Sequence, residues 1–342
     1  MRVSFAVLGS AACLALSAAP GTALADASNP PPAAPDAAPH TLCQLTDARL
    51  PELSGLVVIG DKMLAMNDGG DRLTVYVLDS ACQVVDVRTA AVDPYDPEDL
   101  ALGGDGTIWL SDAGDNLAQR PTVALLALHP DGSTAIYRLT YPDGPHDAEA
   151  ILLAPDGTPY LVTKDVLGNS GVYRPASGLV DGATVAMAKV ANLRFTLTGT
   201  SGGPVGRAGQ LMVTGGAVSA NGTLIALRTY TDAYVWPLTG SDVPKALAAK
   251  PVRIALPPAP QGEAISFAAD SRQLVVAGEG LPGDVTVIPP AAGLTPAAAT
   301  AAAAAPAAGG HAGVPTITAG VIAAVTATLV VWISGKFRRR RP

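Results

Sequence analysis

Glu52-Leu-Ser-Gly-Leu-Val-Val58, Glu98-Asp-Leu-Ala-Leu102, Glu149-Ala-Ile-Leu-Leu153 and Glu263-Ala-Ile-Ser-Phe267 decide the fold. Each is an acid entering a short apolar run, and each run ends in a turn: Gly60-Asp61, Gly104-Asp-Gly106, Pro155-Asp-Gly157 and Ala269-Asp270. A second apolar run follows every turn: Met63-Leu-Ala-Met66, Thr107-Ile-Trp-Leu110, Pro159-Tyr-Leu-Val162 and Gln273-Leu-Val-Val276. A further unit has a weaker entry, with Gly215-Gly-Ala-Val218, Asn221-Gly222 and Thr223-Leu-Ile-Ala226. Short apolar runs joined by Asp-Gly or Asn-Gly are the strongest local sign of a β-hairpin.

Working outward, each hairpin is followed by more alternating chain, as at 73–78 and 83–89 or 122–128 and 134–139, which makes four strands per unit. Unit starts lie 46 (52 to 98), 51 (98 to 149), 66 (149 to 215) and 48 (215 to 263) residues apart. That is the period of propeller blades. The expectation is an all-β propeller of five blades, with six as the alternative. The last unit runs out after three strands at 285–288, and an orphan strand at 42–45 stands ready to complete it and remove the open edge. Such closure sets Cys43 beside Cys82, the even pair left after the leader is removed, and an exported even pair is expected to bridge.

The ends set the compartment. Residues 1–25 carry one cation, Arg2, an apolar core and the small-x-small ending Ala23-Leu-Ala25, as a cleavable secretory signal does. Residues 314–334 hold no charge and are long enough to cross a bilayer as a helix. Lys336 and Arg338 to Arg341 follow directly, so residues 335–342 are placed in the cytoplasm. Residues 26–40 and 291–313 are Ala- and Pro-rich, a linker and a stalk. This leaves residues 41–290 as the ectodomain of a single-pass cell-membrane protein, facing outward. The net charge of -7 and the lack of a basic stripe outside the tail exclude nucleic acid. Oligomeric state is not legible.

In an antiparallel blade, the start of the innermost strand and the end of the second lie at one edge. Strand starts put Glu52, Glu98, Glu149 and Glu263 there. Strand-two ends add Asn67, Asp68, Asp71, Asp112, Asp115, Asn116, Lys164, Arg228 and Glu279. Carboxylates converging on an axis repel unless solvated, protonated or neutralised by a cation. Hard oxygen donors select Ca²⁺ or Mg²⁺, so Glu52, Glu98, Glu149 and Glu263 are the expected metal ligands. The competing reading has them accept backbone N–H bonds and fix blade packing. Asn67-Asp-Gly-Gly-Asp71 and Asp112-Ala-Gly-Asp-Asn116 equally suit ligand contact or self-sufficient Asx turns. His146, beside Asp147 and Glu149, is the candidate general base. Lys164 and Arg228 suit either an anionic ligand or pairing with the acids. No Gly-x-Ser-x-Gly elbow, Walker loop or His-Glu-x-x-His pattern is present.

With these motifs in view, Glu52-Leu-Ser-Gly55, Asn67-Asp-Gly-Gly-Asp71, Glu98-Asp99, Asp112-Ala-Gly-Asp-Asn116 and Asp147-Ala-Glu149 resemble those of secreted, membrane-anchored actinobacterial β-propeller proteins of unassigned function. The resemblance spans residues 45–290. It is more distantly similar to esterase-like, phytase-like and calcium-dependent lactonase propellers. It implies a propeller with acids at the channel mouth. The function expected first is a surface module that binds a ligand or protein through its polar face. The alternative is a Ca²⁺- or Mg²⁺-dependent hydrolase of phosphoesters or lactones at the same face, and the third a structural role in the envelope.

Overall fold

The computed structural model describes residues 37–290. The leader, stalk, membrane span and basic tail expected at 1–25, 291–313, 314–334 and 335–342 lie outside the described residues, as does most of the linker. Among the described residues, no helix is long and apolar enough to cross a membrane.

Strand β1 (His40–Leu45) comes first but pairs last. β2 (Leu53–Ile59), β3 (Lys62–Asn67), β4 (Leu73–Leu78) and β5 (Val84–Ala90) form an antiparallel sheet in that order. β6 (Pro97–Leu102), β7 (Ile108–Asp112), β8 (Val123–Leu128) and β9 (Thr134–Thr140) repeat it, and so do β10 (Ala148–Leu153), β11 (Pro159–Thr163), β12 (Asn169–Pro175) and β13 (Thr184–Arg194). These two runs join through parallel pairing of their outermost strands, β9 and β13, with Arg138 opposite Thr184. Next come β14 (Val213–Val218), β15 (Leu224–Thr229), β16 (Asp232–Pro237), the short helix α1 (Val243–Leu247) and β17 (Val252–Ala255). The last sheet holds β18 (Gly262–Phe267), β19 (Leu274–Gly278), β20 (Gly283–Ile288) and, as its fourth strand, β1.

The innermost strands close a ring, with β2 beside β6, β6 beside β10, β10 beside β14, β14 beside β18 and β18 beside β2. The fold is a β-propeller. Its apolar side chains lie between neighbouring sheets rather than in one central core. Leu64, Met66, Leu100, Leu110 and Leu126 fill one gap, while Leu152, Leu227, Tyr234, Trp236 and Val213 fill another. Each buried side chain of this size stabilises the packing by about 1.5–3 kcal/mol. The closing gap holds Leu45, Leu56, Ala264, Val285 and Val287. The disulfide Cys43–Cys82, Cα to Cα 5.7 Å, ties β1 to the turn between β4 and β5.

The two faces differ. All inner hairpins turn at one edge, where residues from β2, β6, β10, β14 and β18 and their turns line a mostly apolar cavity of about 480 Å³. Ile288, paired with Leu274, also ends there, so the chain leaves the ring on the hairpin face. The acids lie at the opposite edge.

Candidate functional site

The site is built by an irregularity repeated in every innermost strand. Pairing slips between Leu53 and Gly55, Pro97 and Asp99, Ala148 and Ala150, Val213 and Gly215, and Gly262 and Ile265. A bulge inserts an unpaired residue, bends the strand and re-aims the side chain it carries. The bulged positions are thus Ser54, Glu98, Glu149 and Thr214, and in the last sheet Glu263 and Ala264 lie within the slip. Ser54 and Thr214 carry no charge and donate their hydroxyls to the next inner strand, at Glu98 O and Gly262 O.

Pairing therefore corrects one equivalence drawn from sequence. Glu52 does not share a register position with Glu98, Glu149 and Glu263; Ser54 does. Glu52 matches Asp96 and Asp147 instead. Its carbonyl accepts Asp68 N–H at 2.9 Å, as that of Asp96 accepts Gly114 N–H at 3.0 Å and that of Asp147 accepts Lys164 N–H at 2.9 Å. The acid-then-apolar pattern matched two residues out of step because Glu52 precedes a strand that begins at Leu53. The acids thus form two tiers, an outer one of Glu52, Asp96 and Asp147 and an inner one of Glu98, Glu149 and Glu263.

Glu98, Asp147 and Glu149 each place a carboxylate oxygen within 4.8 Å of the others. Glu98 and Glu149 are buried, and Asp147 is half-buried. Burial, and then Glu149 and Asp96 nearby, hold the Glu98 carboxyl well above the usual range. Burial does the same to Glu149, against the pull of Lys164, whose Nζ lies 2.6 Å from Glu149 Oε1. Glu263 is pushed up to about 8 by burial, with Lys164 opposing and Glu279 adding. Its Oε2 is buried and has no hydrogen-bond partner among the described residues. Burial would lower Lys164, but Glu149, Tyr230 and Asp147 outweigh it and hold the amine charged. Tyr230 stays protonated, through burial and then Glu263. Gly114 makes room for this arrangement, since a Cβ there would press on Glu98 Oε1 and come within 2.8 Å of Asp96 Oδ2.

Asp99, next to Glu98, faces the other way. Its side chain is fully buried and accepts the backbone N–H groups of Leu100 at 2.8 Å, Ile151 at 3.0 Å and Gly216 at 3.1 Å. One carboxylate thus joins β6, β10 and β14.

Several residues expected on the ligand face are held by the protein itself. Asn67 bonds Arg49 O and Glu52 N, and Asp112 accepts from Tyr95 N and Asp96 N and pairs with Arg120 at 3.0 Å. Asp115 accepts Arg120 N and donates its own N–H to Asp147. The Arg228 guanidinium is buried on the carbonyls of Ala264, Ala277, Thr229 and Tyr230, and burial lowers it to about 10. Asp71 points outward beside Arg72, 3.8 Å away. Asp68 and Glu279 are half-buried and flank Glu263 electrostatically. Asn116 is half-buried in the loop after β7. His146 meets Asp143 at 2.9 Å and Tyr173 Oη at 3.1 Å, with Tyr141 against its ring.

Tyr230 and Asp96 were not singled out from sequence. The spacing Asp96-Pro-Glu98, repeated as Asp147-Ala-Glu149, was the available signal for Asp96. Tyr230 carried none, because it follows β15 in the unit without an entry acid.

No protein-family model and no curated protein matches the chain. Solved structures do. A gluconolactonase from Xanthomonas campestris is 16% identical, with a TM-score of 0.41 over 69% of this chain and 71% of that one. A catalytically inactive virginiamycin B lyase from Staphylococcus aureus, solved with quinupristin, is 12% identical, with a TM-score of 0.37 over 72% and 73%. A PQQ-bound aldose sugar dehydrogenase from Streptomyces coelicolor is 11% identical, with a TM-score of 0.37 over 75% and 99%.

Proposed function

We propose that the ring is a five-bladed propeller whose acidic mouth holds a divalent cation, Ca²⁺ or Mg²⁺, and that it hydrolyses a lactone or phosphoester there. The observation that carries this reading is the trio Glu98, Asp147 and Glu149, with carboxylate oxygens within 4.8 Å of one another. Packed together and withdrawn from water, they cost stability unless protons or a cation neutralise them. The donor set is all carboxylate oxygen, which suits a hard cation. The buried, unpartnered Glu263 Oε2 provides a further acceptor on the inner tier.

A bound cation would polarise the carbonyl or phosphoryl oxygen of the substrate. Lys164, fixed on Glu149, keeps a positive charge beside the trio and favours anionic groups. Tyr230 and Lys164 are the proton-bearing groups adjoining the acids. In lactone opening, the water oxygen gives up a proton as it bonds to the acyl carbon, the ring C–O bond breaks and the departing oxygen takes up a proton. In this reading Tyr230 and Lys164 would hydrogen-bond that oxygen.

Binding without turnover is the second reading. It is favoured by His146, whose ring is engaged by Asp143, Tyr173 and Tyr141 and leaves the acids without an evident histidine base. In both readings the chain is a single-pass membrane protein displaying the ring outside the cell.

Calorimetric titration with calcium and magnesium tests the site, and hydrolysis of a lactone and phosphoester panel with and without cation tests the reaction. Cation-dependent turnover lost in Glu98→Gln supports the hydrolase. Absence of both heat and any rise in Tm overturns the cation. Binding with silence across the panel favours the second reading.

A further inference from the structure

Large apolar side chains left in solvent are unevenly spread. Four of them, Tyr95 at 67%, Leu117 at 42%, Leu167 at 52% and Leu197 at 45% exposure, stand on loops at the acidic edge. They precede β6, follow β7, follow β11 and precede β14. Four others, Leu42, Ile59, Val85 and Val180, are scattered over β1, the end of β2, β5 and the connection from β12 to β13. Single exposed apolar residues need no explanation, whereas several around one recess mark a binding surface.

Local bonds hold three of the four outward. Asp165 Oδ1 accepts the N–H groups of Leu167 and Asn169, which fixes the turn that carries Leu167. Asp115 accepts Ala118 N–H with its carbonyl and Arg120 N–H with its side chain, which closes the loop bearing Leu117. The Arg120 guanidinium covers one side of the Tyr95 ring at 4.6 Å while bonded to Asp112 and Gly114 O.

These side chains also lie close to the acids along the chain. Tyr95 is three residues before Glu98, Leu117 three after Gly114 and Leu167 three after Lys164. Three residues span at most about 10 Å. The loops that carry Tyr95, Leu117 and Leu167 therefore start within about 10 Å of the charged recess, and these three side chains are its apolar collar.

Building on the cation site, we infer that the ligand is an amphiphile: an oxyanion or carbonyl head at Glu98, Asp147, Glu149 and Lys164, with a hydrocarbon tail against Tyr95, Leu117 and Leu167. A wholly polar ligand of the same head would leave the collar in water. A tail covers it and takes its apolar surface out of water.

Residues 37–290 form a ring closed by β1 and the disulfide, with five apolar clusters among these described residues, so this piece is the test sample. The probes are methylphosphonate and decylphosphonate, titrated below micelle formation with and without calcium. With calcium, decylphosphonate should bind at least tenfold more tightly than methylphosphonate. The double variant Leu117→Ser, Leu167→Ser should lose most of that gap, with calcium uptake followed in parallel. A ring that takes up no calcium overturns the cation site and this inference together. A ring that binds calcium but holds both phosphonates equally overturns the inference alone. So does decylphosphonate binding that is indifferent to calcium or unchanged in the double variant.

Discussion

Asp99 Oδ2 accepts the backbone N–H of Gly216 at 3.1 Å, across 117 positions of chain. The same oxygen takes Ile151 N–H at 3.0 Å, so three inner strands meet on one side chain. In Asp99→Asn, an NH₂ group replaces one acceptor and faces a backbone donor. A buried donor without an acceptor costs about 1–3 kcal/mol. Urea unfolding of the variant should show a loss of about 1–3 kcal/mol with cation uptake largely kept. A loss below about 0.5 kcal/mol would mean that the bridge is dispensable.

Stability without cation should fall as pH rises. Burial lifts the carboxyls of Glu98, Asp99, Glu149 and Glu263 above their ordinary values, Glu263 to about 8. The folded state then binds more protons than the unfolded state, so the slope of unfolding free energy against pH is negative. For Glu263 the loss begins above the ordinary value of 4.5 and continues through about 8. Tm measured across this window in a chelator should decline, and saturating calcium should flatten the decline.

Glu98→Gln separates repulsion from ligation. Where the pH is high enough to ionise Glu98, removing its charge from the trio relieves like-charge repulsion, so the chelated variant should melt at or above the parent there. Its calcium affinity should fall at least tenfold, about 1.4 kcal/mol. Glu149→Gln is the less clean probe, because it strands the buried Lys164 and a broken buried pair costs about 3–5 kcal/mol. A chelated Glu98→Gln protein that melts well below its parent would contradict the repulsion argument.

The double variant Cys43→Ser, Cys82→Ser opens a loop with a sequence separation of 39. Chain entropy predicts a loss of about 4 kcal/mol. Denaturant unfolding under oxidising conditions should show this difference from the parent, and reduction of the parent should abolish it.

The blade period was legible because every inner hairpin carries its own turn chemistry. Asp105, Asp156, Asn221 and Asp270 each accept a backbone N–H two residues on. The closing strand and its disulfide were legible from a unit that ran one strand short. The tiers were not. Which acid stands inward is set by a bulge, and a bulge depends on pairing with the next strand rather than on the acid itself. Asp99 was equally hidden, since its partners Ile151 and Gly216 offer only backbone and leave no mark in sequence. The exits taken by Asn67, Asp112 and Arg228 into the protein's own bonds also depend on neighbouring loops.

The strand pairing at the closure also sets an order of events during synthesis. β1 is made before every other described strand, yet its partner β20 is made more than 230 residues later, since His40 pairs with Val287. Until then β1 is an unpaired edge, exposed to wrong partners. Cys82 emerges much sooner than β20. Once oxidised with Cys43, it holds β1 against the first completed blade, so the first-made strand waits in place for the last.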